Sequence, residues 1–239
     1  MLVAIEGIDG SGKGTQAKEL LNRLRKLGYT CELLSFPRYE ATHSSKMVAQ
    51  YLNGEFGDLS QVPPAFAATL FALDRMESRA HLEEMIQRND LVIVDRYISS
   101  NLAYQSARVS QPEQSMFIDW LYDLEFEVYG LPKPDVTILL DIPVTTSQEL
   151  VARKDARTYT EQVYDLHERD SEYLSRVREA YETLINTRRM DHCQVIECLD
   201  SQGHLRQIDD LSDEICDRVI QCIQLSHSRN QDDAQETEC

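Results

Sequence analysis

A lysine set among glycines, Gly7-Ile8-Asp9-Gly10-Ser11-Gly12-Lys13-Gly14-Thr15, is the first group in this chain whose spacing implies chemistry. Glycines let a backbone turn tightly enough for several N–H groups to point at one anion. An apolar run at 2–5 precedes the group, and the helical pattern Ala17, Leu20, Leu21, Leu24 comes after it. Strand, glycine turn and helix is the setting a phosphate-binding loop requires. The helix N-terminus adds its positive end. Lys13 brings a mobile cation to the β and γ phosphates of a nucleotide. The usual pattern puts Ser or Thr directly after the lysine, to hold Mg2+. Here that position is Gly14, and the hydroxyl comes one residue later, at Thr15.

A second group stands after the apolar run 91–94: Asp95-Arg96-Tyr97. An acid at the C-terminal end of a buried strand stands where ligands bind open α/β sheets. Such an aspartate can hold Mg2+, directly or through water. Arg96 can fork onto a phosphate with two parallel hydrogen bonds. Taken alone, an Asp-Arg pair after a strand is usually a structural salt bridge. The polar and aromatic run Ser99-Ser100-Asn101-Leu102-Ala103-Tyr104-Gln105, two residues further on, changes its meaning.

The elements that must position these groups alternate along the chain. Strand-length apolar runs lie at 2–5, 31–36, 91–94, 136–140 and 194–196. Amphipathic helical patterns lie around 16–27, 64–88, 112–128, 144–153, 161–188 and 207–225. That alternation predicts an α/β fold, a parallel sheet covered on both faces by helices. The polar, acidic stretch 226–239 has no periodicity and is expected to be a disordered tail beyond a single domain at 1–225.

The 239 residues carry a formal net charge of -17. That balance argues against nucleic acid or an anionic membrane as the main partner. It leaves a nucleotide open, because a cleft can be locally basic in an acidic protein. Six cysteines at 31, 193, 198, 216, 222 and 239 form no Cys-x-x-Cys and lie at no zinc spacing. Reduced thiols in a cytoplasmic protein fit them best. No apolar run is long enough to span a membrane. The loop starts by Gly7, so no signal peptide is expected.

Asp95-Arg96-Tyr97, Ser100 and Ala103-Tyr104-Gln105 together resemble the signature of thymidylate kinases, a family of phosphate-loop nucleoside monophosphate kinases. Gly12-Lys13-Gly14-Thr15 agrees, since that group often reads Gly-Lys-Gly-Thr. So do Phe36-Pro37-Arg38 after the second strand, Tyr51-Leu52-Asn53-Gly54-Glu55, Leu70-Phe71-Ala72-Leu73-Asp74-Arg75, Leu131-Pro132-Lys133-Pro134-Asp135 and Leu140-Asp141-Ile142-Pro143. The resemblance implies a three-layer kinase fold with a five-stranded parallel sheet and a small lid near 150–160. It implies ATP and dTMP as substrates, Mg2+ as cofactor, and a homodimer.

Residue roles come from the same resemblance. Phe36 and Phe71 offer apolar faces to the acceptor, Phe71 to the pyrimidine itself; core packing is the alternative for Phe71. Arg75 would donate to a thymine carbonyl, and Ser100 and Gln105 would meet the remaining polar edge of the base or sugar. Tyr104 would crowd the sugar's 2′ position, and Asp9 would receive the 3′-hydroxyl. Arg38 and Arg96 would grip the acceptor phosphate. Some members carry an arginine right after the loop aspartate; here that place is Gly10, so Arg153 and Arg157 of the lid are expected to supply the catalytic cations. A kinase for UMP, CMP or AMP, or a nucleotide-binding module without turnover, are the competing readings.

Overall fold

The computed structural model describes residues 1–152 and 170–236, with side chains described up to 225. Five strands form one sheet: β1 (Leu2–Gly7), β2 (Cys31–Ser35), β3 (Leu91–Asp95), β4 (Val136–Asp141) and β5 (Cys193–Glu197), in the order β2-β3-β1-β4-β5. Every pairing is parallel. Parallel strands are covered on both faces, so they read as continuous apolar runs. β1 and β3 fit that rule, with Val3, Ile5, Val92 and Ile93 fully buried.

Helices α1 (Lys13–Lys26) and α8 (Ile208–Glu236) pack together, tied by a Ser212 to Gln16 hydrogen bond of 2.7 Å. Helices α2 (His43–Leu52), α3 (Pro64–Arg88), α4 (Ile98–Ser106), α5 (Gln111–Asp123), α6 (Val144–Ala152) and α7 (Ser171–Asn186) supply the other cover. The α/β sheet flanked by helices is the class expected from the alternation of patterns.

Three differences have local causes. All nine residues of α4 are buried, so it has no polar face and no amphipathic period to read. The pattern at 112–128 breaks into α5 and a π-helical turn, Leu124–Val128, which re-aims one acidic side chain. Helix α8 runs through Glu236, whereas the sequence reading begins a disordered tail at 226. Neither glycine nor proline lies between 208 and 236 to stop it.

Register brings the functional segments to one edge. Asp95 pairs with Ile5 on one side and Ser35 on the other, and Gly7 pairs with Leu140. The glycine loop after β1, Phe36 after β2 and Asp95-Arg96 after β3 therefore share the C-terminal rim. The sheet order departs from β1 in both directions there, which is where open α/β sheets hold ligands.

Gly10 locks the loop to α6. Its φ is 81°, and a Cβ there would lie 2.2 Å from the Ser147 carbonyl oxygen and 2.8 Å from Val151 Cγ2. Gly28 has a similar φ of 94° but open space around it. Gly10→Ala is expected to lower stability by roughly 2–3 kcal/mol, through left-handed strain plus displacement of α6. Gly28→Ala loses only the strain, about 1 kcal/mol. Urea unfolding at unchanged slope checks both; equal losses would refute the contact.

Candidate active site

A cleft of about 520 Å3, open mouth included, lies beneath the rim, within the usual range for small-molecule sites. Asp9, Phe36, Phe71, Arg75 and Arg96, all named from the sequence, line it. Ser100 and Tyr104, one turn apart on α4, and the adjacent Gln105 line it too. The glycine loop Gly7 to Thr15 joins β1 to α1 at the cleft's phosphate end.

At that end the positive charges are held by internal partners. Lys13 is 5% exposed, and its Nζ donates to the carbonyl oxygens of Gly7 at 2.9 Å and Ile8 at 2.7 Å. Burial first, then repulsion from Arg96, brings its pKa down to about 7, against the pull of Asp9, Asp95 and Glu6. Arg96 sits in the left-handed region with φ of 65°. Its backbone N–H donates to Ile5 O at 3.0 Å, and its guanidinium pairs with Asp9. Burial disfavours the Arg96 cation, but Asp9, Tyr104 and Asp95 outweigh it and raise its pKa above the usual arginine value.

Tyr104 closes this cluster. Its hydroxyl donates to Asp9 Oδ2 at 2.7 Å and accepts from the Asp9 N–H at 2.8 Å. Its ring lies under the Arg96 guanidinium, 5.6 Å from centroid to carbon. A loop residue, a strand-end residue and a helix residue thus share one buried junction.

Two polar atoms at this end are buried without a protein partner: Asp95 Oδ1 and Ser11 Oγ. Asp95 Oδ2 lies only 3.0 Å from where a Cβ on Gly14 would stand. Glycine at 14 therefore leaves the Asp95 carboxylate next to the loop, and this donor set fits the water shell of a hard cation. Thr15, in the first turn of α1, is exposed.

The inner end of the cleft is built differently. Arg75 is 3% exposed and forks onto Glu125, Nε to Oε2 at 2.5 Å and Nη2 to Oε1 at 2.7 Å. Asn101 Nδ2 donates to Glu125 Oε1 at 2.8 Å and to Ala68 O at 2.9 Å. Its Oδ1 is buried with no protein partner. Gln105 shows the reverse: its Oε1 accepts from Arg108 Nη1 at 2.8 Å, and its buried Nε2 has no partner. Phe71 lies edge-on to Tyr51, ring centroids 6.1 Å apart.

Some expectations change. Ser100 lines the cleft, but its hydroxyl donates to Glu6, and Tyr181 shares the same carboxylate. Glu6 also accepts from the backbone N–H of Tyr97 at 2.9 Å and Ser100 at 3.2 Å, so it caps the N-terminus of α4. Burial raises the Glu6 pKa. Ser100 is thus committed to holding α4. Arg38 is anchored through its backbone N–H, 2.9 Å from Asp74 Oδ2, and its neighbours Pro37 and Tyr39 line the cleft in its stead. Arg153 and Arg157, with the expected lid, lie outside the described residues. Glu6, Asn101, Arg108 and Glu125 were not given roles by the sequence. Asn101 was legible within the Ser-Ser-Asn-Leu-Ala-Tyr-Gln run; the others carry no local signal.

A family model described as thymidylate kinase matches residues 5–202. The chain belongs to the thymidylate kinase family. It is 38% identical over 184 residues to the thymidylate kinase of Mycobacterium tuberculosis, covering 77% of this chain and 85% of that one. It is 33% identical over 190 residues to a probable thymidylate kinase of Thermococcus onnurineus, covering 76% and 85%. A solved structure of thymidylate kinase from Candida albicans shares the fold, with a TM-score of 0.70 at 24% identity over 92% of this chain and 91% of that one. Members are ATP-dependent phosphotransferases acting on a nucleoside monophosphate. Helix α8 lies beyond the matched residues yet belongs to the core, burying Leu211, Ile215 and Val219. Among the described residues no helix is long and apolar enough to cross a membrane.

The state of Lys13 gives a measurable consequence. With its pKa brought down to about 7, it is largely neutral at pH 8. A polyphosphate on the loop favours the ammonium and raises that pKa, so binding takes up a proton between about pH 7 and 10. Calorimetric titration of ATP at about pH 8, in buffers of different ionisation enthalpy, should report uptake approaching about one proton. Lys13→Met should abolish it; identical heats in all buffers for the native protein would contradict the pairing.

Proposed function

We infer that this thymidylate kinase transfers the γ-phosphate of ATP to dTMP, giving ADP and dTDP. The observation that carries the assignment is the polarity of the inner cleft. Arg75 Nη1 lies outside the Glu125 pair, Asn101 offers a bare acceptor and Gln105 a bare donor. Two donors and one acceptor are the set that a thymine edge needs, with its two carbonyl oxygens flanking N3–H. Cytosine presents an amino group and an unprotonated N3, and leaves these buried groups mismatched. Phe71 supplies an apolar face for the ring. Tyr104, fixed on Asp9, occupies the region where a ribose 2′-hydroxyl would need room.

At the phosphate end the chemistry is alignment and charge neutralisation. The nucleophile is an acceptor phosphate oxygen, already anionic, so no strong general base is needed. Lys13 exchanges its two carbonyl partners for the β and γ oxygens, and the loop's N–H groups gather round the same phosphates. Arg96 orients the acceptor phosphate, with Asp9 and Tyr104 holding it. Asp95 would hold Mg2+ through its water shell, with Thr15 at the loop's edge. When bound, Mg2+ supplies charge neutralisation at the transferring phosphates. The family's homodimer is also proposed here; exposed Phe66 and Met76 on α3, with Met116 and Trp120 on α5, offer apolar faces for a second copy.

A coupled ADP-release assay across dTMP, UMP, dCMP and AMP should favour dTMP. Lys13→Ala and Arg96→Ala should each lose at least about 10²-fold in kcat/KM, the usual loss for a removed transition-state contact. The same preparation should sediment at twice the chain mass. Preference for another acceptor, near-native turnover in either variant, or a monomer would refute the corresponding assignment.

A further inference from the structure

Hydrogen-bond polarity at the inner cleft is decided by groups behind the lining residues. An asparagine amide can present either end to a ligand. At Asn101 two acceptors, Ala68 O and Glu125 Oε1, claim Nδ2. That leaves Oδ1 as the end without a protein partner. Glu125 is fully buried and is absent from the cleft lining. The same carboxylate takes both donors of the Arg75 fork. One carboxylate thus fixes the plane of a guanidinium and the sense of an amide, both of which line the cleft.

Its placement is specific. Glu125 lies on the π-helical turn Leu124–Val128, 50 residues from Arg75 in sequence and 24 from Asn101. Glu125 is the buried residue of that turn. The backbone of the turn is closed by the Leu131 N–H on Glu125 O at 3.1 Å. Gln105 is oriented separately, by Arg108, whose guanidinium also binds Tyr51 and the Leu59 and Val62 carbonyls. A change at 125 therefore leaves the Gln105 donor in place.

We propose that Glu125 is a specificity-determining positioning residue: by clamping Arg75 and the Asn101 amide it makes the cleft select a pyrimidine with a protonated N3. The inference rests on the thymine reading of the inner cleft. Without a carboxylate at 125, Arg75 loses its fork, and Asn101 keeps only Ala68 O to set its amide. The acceptor facing N3–H is then no longer enforced, while Lys13, Arg96 and Asp95 at the phosphate end are untouched.

Glu125→Gln, close in size, tests this, with Glu125→Asp as a second variant that keeps the charge but withdraws it by one methylene. Kinetics with saturating ATP would be run on dTMP and dCMP, alongside thermal melting. For Glu125→Gln, KM for dTMP should rise about tenfold or more with kcat within about threefold, and the dTMP to dCMP ratio of kcat/KM should fall about tenfold. Glu125→Asp should recover part of that ratio. If Glu125→Gln fails to fold, the aspartate variant decides, its ratio falling below the native one at a native-like melting temperature. Equal losses for dTMP and dCMP at an unchanged ratio, in whichever variant folds, would overturn the role of Glu125 while leaving the thymine reading intact. A native protein that does not prefer dTMP to dCMP would overturn both.

Discussion

Positive charge confined in a poorly solvated cleft is the constraint that shapes the rest of this molecule. Lys13 and Arg96 lie close enough to repel, and burial strengthens every such interaction. A folded chain has few ways to hold two basic groups there, and burial with the repulsion already brings the Lys13 pKa down to about 7. This one uses the Gly7 and Ile8 carbonyls for Lys13 and the Asp9 carboxylate for Arg96. Each is a partner that a phosphate can replace. These contacts are of a kind that nucleotide anions can take over. An acidic protein of net charge -17 can bind anions because these few charges are sequestered from the rest.

Asp9 connects the two halves of the chemistry. It belongs to the glycine loop, pairs with Arg96 at the end of β3 and accepts from the Tyr104 hydroxyl. Tyr104 stands on α4, and Glu6 caps the N-terminus of that helix beneath the same loop. Tyr173 of α7 donates to the Tyr104 carbonyl at 2.7 Å, so α4 is held from the far side too. Rigid placement of α4 fixes Asn101, Tyr104 and Gln105 together, so one short helix presents three cleft-lining side chains in a single piece. The inner Arg75–Glu125 pair is of the kind whose disruption costs about 3–5 kcal/mol when one partner is lost. It sits where orientation matters to ligand recognition.

The fold and much of the site were readable because they are local. Strand-length apolar runs and the Gly-Ser-Gly-Lys turn declare themselves within a few residues each. Asp95-Arg96 stands at the end of an apolar strand run, whereas Phe71 and Arg75 are singled out only by the resemblance to thymidylate kinases. The partners were not readable. Glu125 meets Arg75 across 50 residues, and Glu6 meets Ser100 across 94. No pattern in either segment marks such a meeting, and the π-helical turn that makes the first possible has no sequence mark of its own. Ser100 shows the same limit from the other direction: its type suited a ligand contact, and a buried carboxylate 94 residues away had already claimed it.

Two anions meeting end to end over Lys13 and Arg96, with thymine at the inner end of the same cleft, is a geometry that can be seen directly. A crystal structure of the protein with dTMP and a non-hydrolysable ATP analogue would show it. The pyrimidine should lie on Phe71 with N3 facing Asn101 Oδ1, the dTMP phosphate on Arg96, and Lys13 released from Gly7 and Ile8 onto the triphosphate. A pyrimidine bound away from Asn101 and Arg96, or Lys13 still on its carbonyl partners with both nucleotides in place, would contradict it.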